Sequence, residues 1–179
     1  MTGRIQDKIF TSATDLAPVL ADLKQQGKVI VTTNGIYDFL HAGHVEYLEM
    51  ARHLGDALVV ILNTDASTKR IKGPARPINA EQDRAFVAAG LGCVDYVTFF
   101  DEDTPTQILD ILKPDLHAKG GDYDPDKMPE TATIRKNGGD VRIIPLKEGY
   151  SNSKQFQKIK EAAEYDEKFQ RPDWLAGSK

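Results

Sequence analysis

Two histidines, His41 and His44, stand around a glycine in the stretch TTNGIYDFLHAGH (Thr32–His44), directly after the β-branched run KVIVTT. Two imidazoles converging on a helix start can both donate to phosphate oxygens, because free backbone N–H groups and the helix dipole there favour an anion. Donors aimed at charge developing on a phosphoryl group are worth about a hundred- to a thousand-fold in rate each. Gly35, just upstream, allows close backbone approach to a ligand or a positive φ. Two other readings stay open on spacing alone. One is a zinc site, which needs a further ligand where neither HExxH nor a cysteine cluster is present. The other is a capped helix with a packed histidine.

Three further stretches carry candidate chemistry. In NTDASTKRIKGPARP, the residues Lys69, Arg70, Lys72 and Arg76 make a local anion site, and Gly73 with Pro74 predicts a mobile loop. Solvated surface lysine and arginine is the alternative for Lys69 and Arg70. Asp65 either binds substrate hydroxyls or caps the following turn. Arg84 falls in the first turns of a helix, where a cation opposes the dipole, so it reads as phosphate-directed or ion-paired. AKGGDYDP sets two glycines where a base or ribose can lie against backbone, or where a tight turn ends a strand. PLKEGYSNS leads into the last helix, which Ser151 or Ser153 can cap and whose N-terminus can meet phosphates.

These stretches need a frame that brings them together. KVIVTT, ALVVILN, CVDYVTFF, DLHAKG and DVRIIPL read as strands, and the unbroken apolar run of ALVVILN is what a parallel strand covered on both faces requires. Between them lie helical patterns: His44–Gly55, ended by Gly55 as a cap; a helix opened by Asn79; one with Thr104 as N-cap and Pro105 at its first position; and one over DKMPETATIRKNGG ended by Gly138. Alternating strands and helices imply right-handed βαβ units and a parallel sheet. In such a sheet, ligands bind beyond the carboxyl ends of the strands, where all four stretches fall. The expected fold is therefore α/β, a Rossmann-like three-layer arrangement with a parallel five-stranded sheet flanked by helices. Residues 1–163 are expected to form one domain, with 1–27 a helical N-terminal segment and 164–179 a tail. RPDWLAGSK in that tail reads as disordered, or as docking on a partner subunit through Trp174.

Composition narrows the class. The 23 Lys and Arg against 27 Asp and Glu leave a net charge of −4, which argues against nonspecific nucleic-acid binding. A single cysteine, Cys93, excludes an intramolecular disulfide and reads as a core thiol. No apolar stretch approaches the roughly 18 residues of a membrane span, and the polar N-terminus does not read as a signal peptide, so a cytoplasmic location is expected.

The stretch NGIYDFLHAGH resembles the HxGH signature of the nucleotidylyltransferase superfamily. Within it, the chain looks like the adenylyltransferases of D-glycero-D-manno-heptose 1-phosphate. The resemblance runs from about Lys8 to Lys160, through GKVIVTTNG, DFLHAGHVEYLEMAR, GDALVVILNTDAS, RIKGPARPIN, Asp83–Arg84, CVDYVTFFDEDTP, KPDLHAKGGDY and PLKEGYS, in order. It implies AMP transfer from ATP, with Mg2+, to a heptose 1-phosphate for a cell-surface polysaccharide precursor. It also implies a homodimer. His41, His44 and Lys72 would be catalytic. Thr33, Asn34, Gly35, Tyr37, Asp38, Gly43, Lys119, Gly120, Gly121, Asp122, Gly149, Tyr150, Ser151 and Ser153 would bind nucleotide; for Asp38, fixing the loop by hydrogen bonds is an equal reading beside a direct ligand or magnesium role. Asp65, Arg76 and Arg84 would bind the second substrate. Asn152 before Ser153, and Ile36–Tyr37 where many relatives carry Cys-Phe, depart from the pattern. Many relatives also carry a fused kinase domain, so a separate kinase is expected to supply the sugar 1-phosphate. A cytidylyltransferase acting on an alcohol phosphate such as glycerol 3-phosphate, a flavin-nucleotide synthetase and a non-catalytic nucleotide-binding regulator are the alternatives. A dehydrogenase would need GxGxxG after the first strand, which is absent.

Overall fold

The computed structural model describes residues 4–145 and 152–166. The chain divides into two compact units, 1–146 and 147–179. The second contains one described helix, α7 (Asn152–Asp166). Gly149, Tyr150, Ser151 and the side chain of Ser153 lie outside the described residues, as does the tail segment with Trp174.

The first unit is built on five strands: β1 (Ile30–Gly35), β2 (Ala57–Asn63), β3 (Tyr96–Phe100), β4 (Leu116–Gly120) and β5 (Asp140–Ile144). All pair in parallel, in the order β3-β2-β1-β4-β5. The helices are α1 (Ala13–Gln25), α2 (Ala42–Arg52), α3 (Asp65–Lys72), α4 (Glu81–Ala89), α5 (Thr106–Leu112) and α6 (Thr131–Lys136). Every residue of β2 is buried, as its unbroken apolar run requires. Val31, Leu58 and Val60 face Leu48 and Ala51 of α2 and Ala85 and Ala88 of α4. Ile30, Val59 and Ile61 face Leu16 and Leu20 of α1, Leu109 and Leu112 of α5 and Ile134 of α6. Two apolar cores, one on each sheet face, make the three layers. From β1 the chain moves outward to β2 and β3, then returns to place β4 on the other flank of β1. The crevice of such a sheet opens there, beyond the carboxyl ends of β1 and β4.

Several expected boundaries shift for local reasons. α2 begins at Ala42, so His41 itself is the N-cap. Gly55 does not cap that helix: His53 does, and a Cβ on Gly55 would lie 2.7 Å from the Val29 carbonyl, so the glycine serves a close approach to β1. Asn79 is not the cap of α4, because its side chain and backbone N–H are both held by Asp38; the N-cap is Ala80, without a side-chain bond. Pro105 takes the N-cap place of α5 expected for Thr104. The single helix expected before Gly138 is two pieces, a 3-10 turn at Pro125–Lys127 and α6, with Gly138 (φ 85°) beyond its end. Cys93 is half-buried against the first core. No described helix is long and apolar enough to cross a membrane.

Candidate active site

His41 caps α2 twice over. The amide N–H of His44 donates to the His41 carbonyl at 2.8 Å and to its Nδ1 at 3.2 Å. An accepting Nδ1 places the proton of neutral His41 on Nε2. The two imidazoles stack with centroids 3.7 Å apart and planes 13° apart. Tyr37, at φ 50°, lays its ring 5.2 Å from that of His44. A Cβ on Gly35 would come within 2.8 Å of Cε2 of Tyr37, so glycine is what admits the tyrosine against the end of β1.

Burial and, less strongly, the adjacent His41 hold the His44 pKa down to about 4; His41 is itself lowered by burial. Both rings are therefore neutral at neutral pH, each carrying a single N–H. Near-parallel stacked rings direct their in-plane lone pairs side by side and cannot converge on one metal ion. Among the described residues no group of three or more His, Cys, Asp or Glu could hold a metal.

Asp38 is 3% exposed, and its carboxylate gathers the following loop. It accepts from Arg76 (Nε 2.8 Å, Nη2 2.6 Å), from the Ile78 amide and from the Asn79 amide at 2.9 Å. These bonds hold its pKa below the ordinary carboxylate value against the burial that would raise it. Of its two expected roles, the geometry carries loop fixation, and Arg76, expected at the substrate, is the ionic half of that clasp.

For Arg84, of the two roles its place in α4 suggested, the structure shows the ion pair, and its partner is Asp65. Arg84 is 2% exposed. It donates to the carbonyls of Asn79, Ile36 and Asn63 and, at 2.8 Å, to Oδ1 of Asp65. It thus joins the ends of β1 and β2 to the loop before α4, and a substrate phosphate would compete with four existing acceptors. Asp65 is neither the cap of α3, which is Thr64, nor unengaged: it binds Arg84, and its amide donates to Glu81.

The basic cluster lies on a helix rather than a loop. Lys69, Arg70 and Lys72 occupy the last turn of α3, and the loop starts at Gly73. Arg70 pairs with Asp101 and Asp103 at the end of β3, while Lys72 is exposed. Thr33, expected at the nucleotide, exchanges a 2.7 Å hydrogen bond with the Tyr47 hydroxyl, whose pKa burial pushes up to about 12. Gly43 is buried in the first turn of α2. Gly120 ends β4; Gly121 (φ 123°) donates to the Ile144 carbonyl, and Asp122 is exposed beside it.

Lys119 donates to Oδ1 of Asn34 at 2.9 Å and to Oε1 of Glu130 at 3.0 Å. One residue pair deeper, His117 shares a 2.8 Å bond with Thr32, and its Nε2 is buried without a hydrogen-bond partner among the described residues. Burial, assisted by the Lys119 charge, depresses the His117 pKa to about 3. Glu130 lies outside every stretch that carries the resemblance, and His117, though inside KPDLHAKGGDY, is assigned no role by it. The one available signal was polar residues at alternate positions of β4, His117 and Lys119, which set them on one sheet face.

The depressed histidines predict acid sensitivity. Their folded values lie below the ordinary 6.5, so the unfolded chain takes up more protons as pH falls. Their contribution is complete above pH 6.5 and is lost progressively toward about 4 and below. The melting temperature should fall across that window, and His117→Gln should flatten the slope. A midpoint constant from pH 6.5 to 4 would contradict the burial of both rings.

Residues 32–169 match the family model described as cytidylyltransferase-like. The chain is 48% identical over 144 residues to the bifunctional protein HldE of Syntrophotalea carbinolica, covering 80% of this chain and 29% of that one. It is 45% identical over 149 residues to the protein of the same name from Haemophilus influenzae, covering 83% and 31%. The chain thus spans about three-tenths of the length of these relatives. The crystal structure of the lipopolysaccharide core biosynthesis protein from Thermoplasma volcanium superposes with a TM-score of 0.57 at 31% identity, over 70% of this chain and 100% of that one. Pantoate-beta-alanine ligase from Francisella tularensis shares the fold at 14% identity, with a TM-score of 0.55 over 81% of this chain and 68% of that one. The five-stranded parallel sheet with helices on both faces defines a Rossmann-like α/β protein. This chain belongs to the cytidylyltransferase-like family.

Proposed function

We propose that this chain transfers AMP from ATP to a heptose 1-phosphate, giving ADP-heptose and pyrophosphate for a cell-surface polysaccharide precursor. The observation that carries the reading is the stacked neutral pair His41–His44 at the head of α2, beside the β1/β4 crevice. A sugar-phosphate oxygen attacks the α-phosphorus; the bond from that phosphorus to the bridging oxygen breaks, and pyrophosphate leaves with the electron pair. The nucleophile is already ionised near neutral pH, so no strong base is needed and catalysis is positioning with electrostatic stabilisation. His41 and His44 donate to the phosphoryl oxygens, and Lys72 supplies fixed charge from the end of α3. Magnesium enters as part of the substrate, MgATP, because both oxygens of Asp38 and one of Asp65 are engaged within the protein.

The heptose acceptor is supported by the ordered motifs and by similarity to the Thermoplasma volcanium lipopolysaccharide core protein. We also infer a cytoplasmic homodimer in which 1–163 form one nucleotidylyltransferase domain and 164–179 a tail, with Gly149, Tyr150, Ser151 and Ser153 at the nucleotide. The family description keeps a second reading in view, CTP with an alcohol phosphate such as glycerol 3-phosphate. Pyrophosphate release measured with ATP, CTP, GTP and UTP, each against heptose 1-phosphates and glycerol 3-phosphate, separates them. Release confined to ATP with a heptose 1-phosphate is expected. Release with CTP and glycerol 3-phosphate would replace the substrates. Nucleotide binding without release from any pair would favour a regulator.

Gly35→Ala should lower kcat/KM about 10- to 100-fold, since a Cβ would force the Tyr37 ring off its place against His44 and small misplacements near the reacting atoms are costly. Wild-type kinetics in that variant would show that Tyr37 does not set the histidine.

A further inference from the structure

We propose that Glu130 is a positioning residue for the nucleotide site, holding Lys119 and, through it, the Asn34 amide so that their remaining N–H donors face a nucleotide phosphate. The inference rests on the proposed nucleotidyl transfer and adds a residue that no motif marks.

Side chains alternate along β1. Thr33 turns toward α2, where its hydroxyl meets Tyr47, so Thr32 and Asn34 turn to the opposite face. There they meet His117 and Lys119 of β4 at two successive levels, the upper one at the carboxyl edge of the sheet. Glu130 reaches that level from the N-cap of α6, but its side chain makes no capping bond. Its side chain is only 4% exposed, and its single partner among the described residues is Lys119. A buried carboxylate requires such a partner, and a pair sheltered this way is held in one geometry as a surface pair is not.

The consequence lies in donor arithmetic. Lysine donates three hydrogens and accepts none. Two go to Glu130 and Asn34, leaving a third without a protein partner among the described residues. Because Lys119 cannot accept, the Asn34 oxygen must face it and the Asn34 NH2 must face away. That group has no protein acceptor among the described residues either, and Asn34 is only half-buried. Glu130 thus fixes an ammonium, the ammonium fixes an amide, and unfulfilled donors stand at the mouth of the β1/β4 crevice. They suit anionic phosphate oxygens, and they complement the histidine donors arriving from the other sheet face.

The test is a cycle of Glu130→Gln, Lys119→Met and the double variant. Binding of the α,β-methylene analogue of MgATP is read by calorimetry, with kcat and KM for MgATP alongside. Each single variant should weaken binding about tenfold or more, as loss of a charge-assisted hydrogen bond predicts. Glu130→Gln should cost nothing further in the Lys119→Met background, since it acts through that lysine. Independent, multiplying losses, or losses in melting temperature with binding unchanged, would overturn the proposal. Asn34→Asp keeps the acceptor for Lys119 and removes the amide donors; it should weaken binding without lowering the melting temperature, and wild-type affinity in it would also overturn the proposal. Wild-type protein that binds the analogue but releases no pyrophosphate would defeat the proposed reaction while the cycle still judges Glu130. Wild-type protein that binds no analogue would defeat both.

Discussion

His44→Ala is expected to lower turnover by about a hundred- to a thousand-fold or more while leaving the fold intact. The ring is neutral and packed between His41 and Tyr37, and it does not itself cap the helix; its backbone N–H makes the capping contact with His41. Removing the ring therefore leaves the start of α2 in place. His41→Ala is the contrasting variant, because it removes both a donor and the Nδ1 cap. It should lose turnover and in addition about 1 kcal/mol of stability. The two losses should not multiply, since stacked donors serving one phosphoryl group act as a unit. Pyrophosphate release and thermal melting of both single variants and the double variant check this. Near-normal turnover of His44→Ala would remove the pair from the chemistry.

The parts of this molecule that repeat a local rule were legible from its residues. The buried run of β2, the alternation of strands and helices and the HxGH stretch each carry their signal within a few neighbours, and the sheet and the α2 terminus follow from them. The parts that depend on distant partners were not. Asp38 and Arg76 are 38 residues apart, and nothing local to either marks a clasp. Asn79 looked like a cap because capping residues are recognised locally, yet Asp38 already holds it. Arg84 sits badly against the dipole of α4, which pointed to an ion pair or a phosphate; only the fold decides for the ion pair, by placing Asp65 and three carbonyls around the guanidinium. Glu130 lies in an undistinguished stretch, PETA, and gains its place only when the fold brings it to Lys119 of β4. Gly73–Pro74 is a breaker, which suggests a loop for the basic run beside it; the break falls after Lys69, Arg70 and Lys72, and the last turn of α3 favours cations.

The second large effect concerns stability. Arg84→Ala is expected to cost about 3–5 kcal/mol, the range for breaking a buried, hydrogen-bonded charge pair. The guanidinium is a rigid fork, and here four of its bonds go to acceptors on three separate pieces of chain: Ile36 after β1, Asn63 and Asp65 at the end of β2, and Asn79 before α4. Its removal leaves the Asn63 carbonyl buried without that donor and Asp65 without its cation, and it opens a space in the interior that alanine does not fill. Against a total stability of about 5–15 kcal/mol for a typical domain, this is a large share. Arg84→Lys should recover only part of it, since one ammonium presents a point charge and cannot satisfy a planar arrangement of four acceptors. Urea unfolding of the three chains gives the comparison: the midpoint should fall steeply for alanine and by an intermediate amount for lysine, with the slope against urea unchanged. If instead Arg84 served the substrate, both variants would unfold like the parent and differ from it only in KM for the sugar phosphate. A parent-like midpoint for Arg84→Ala would restore that role.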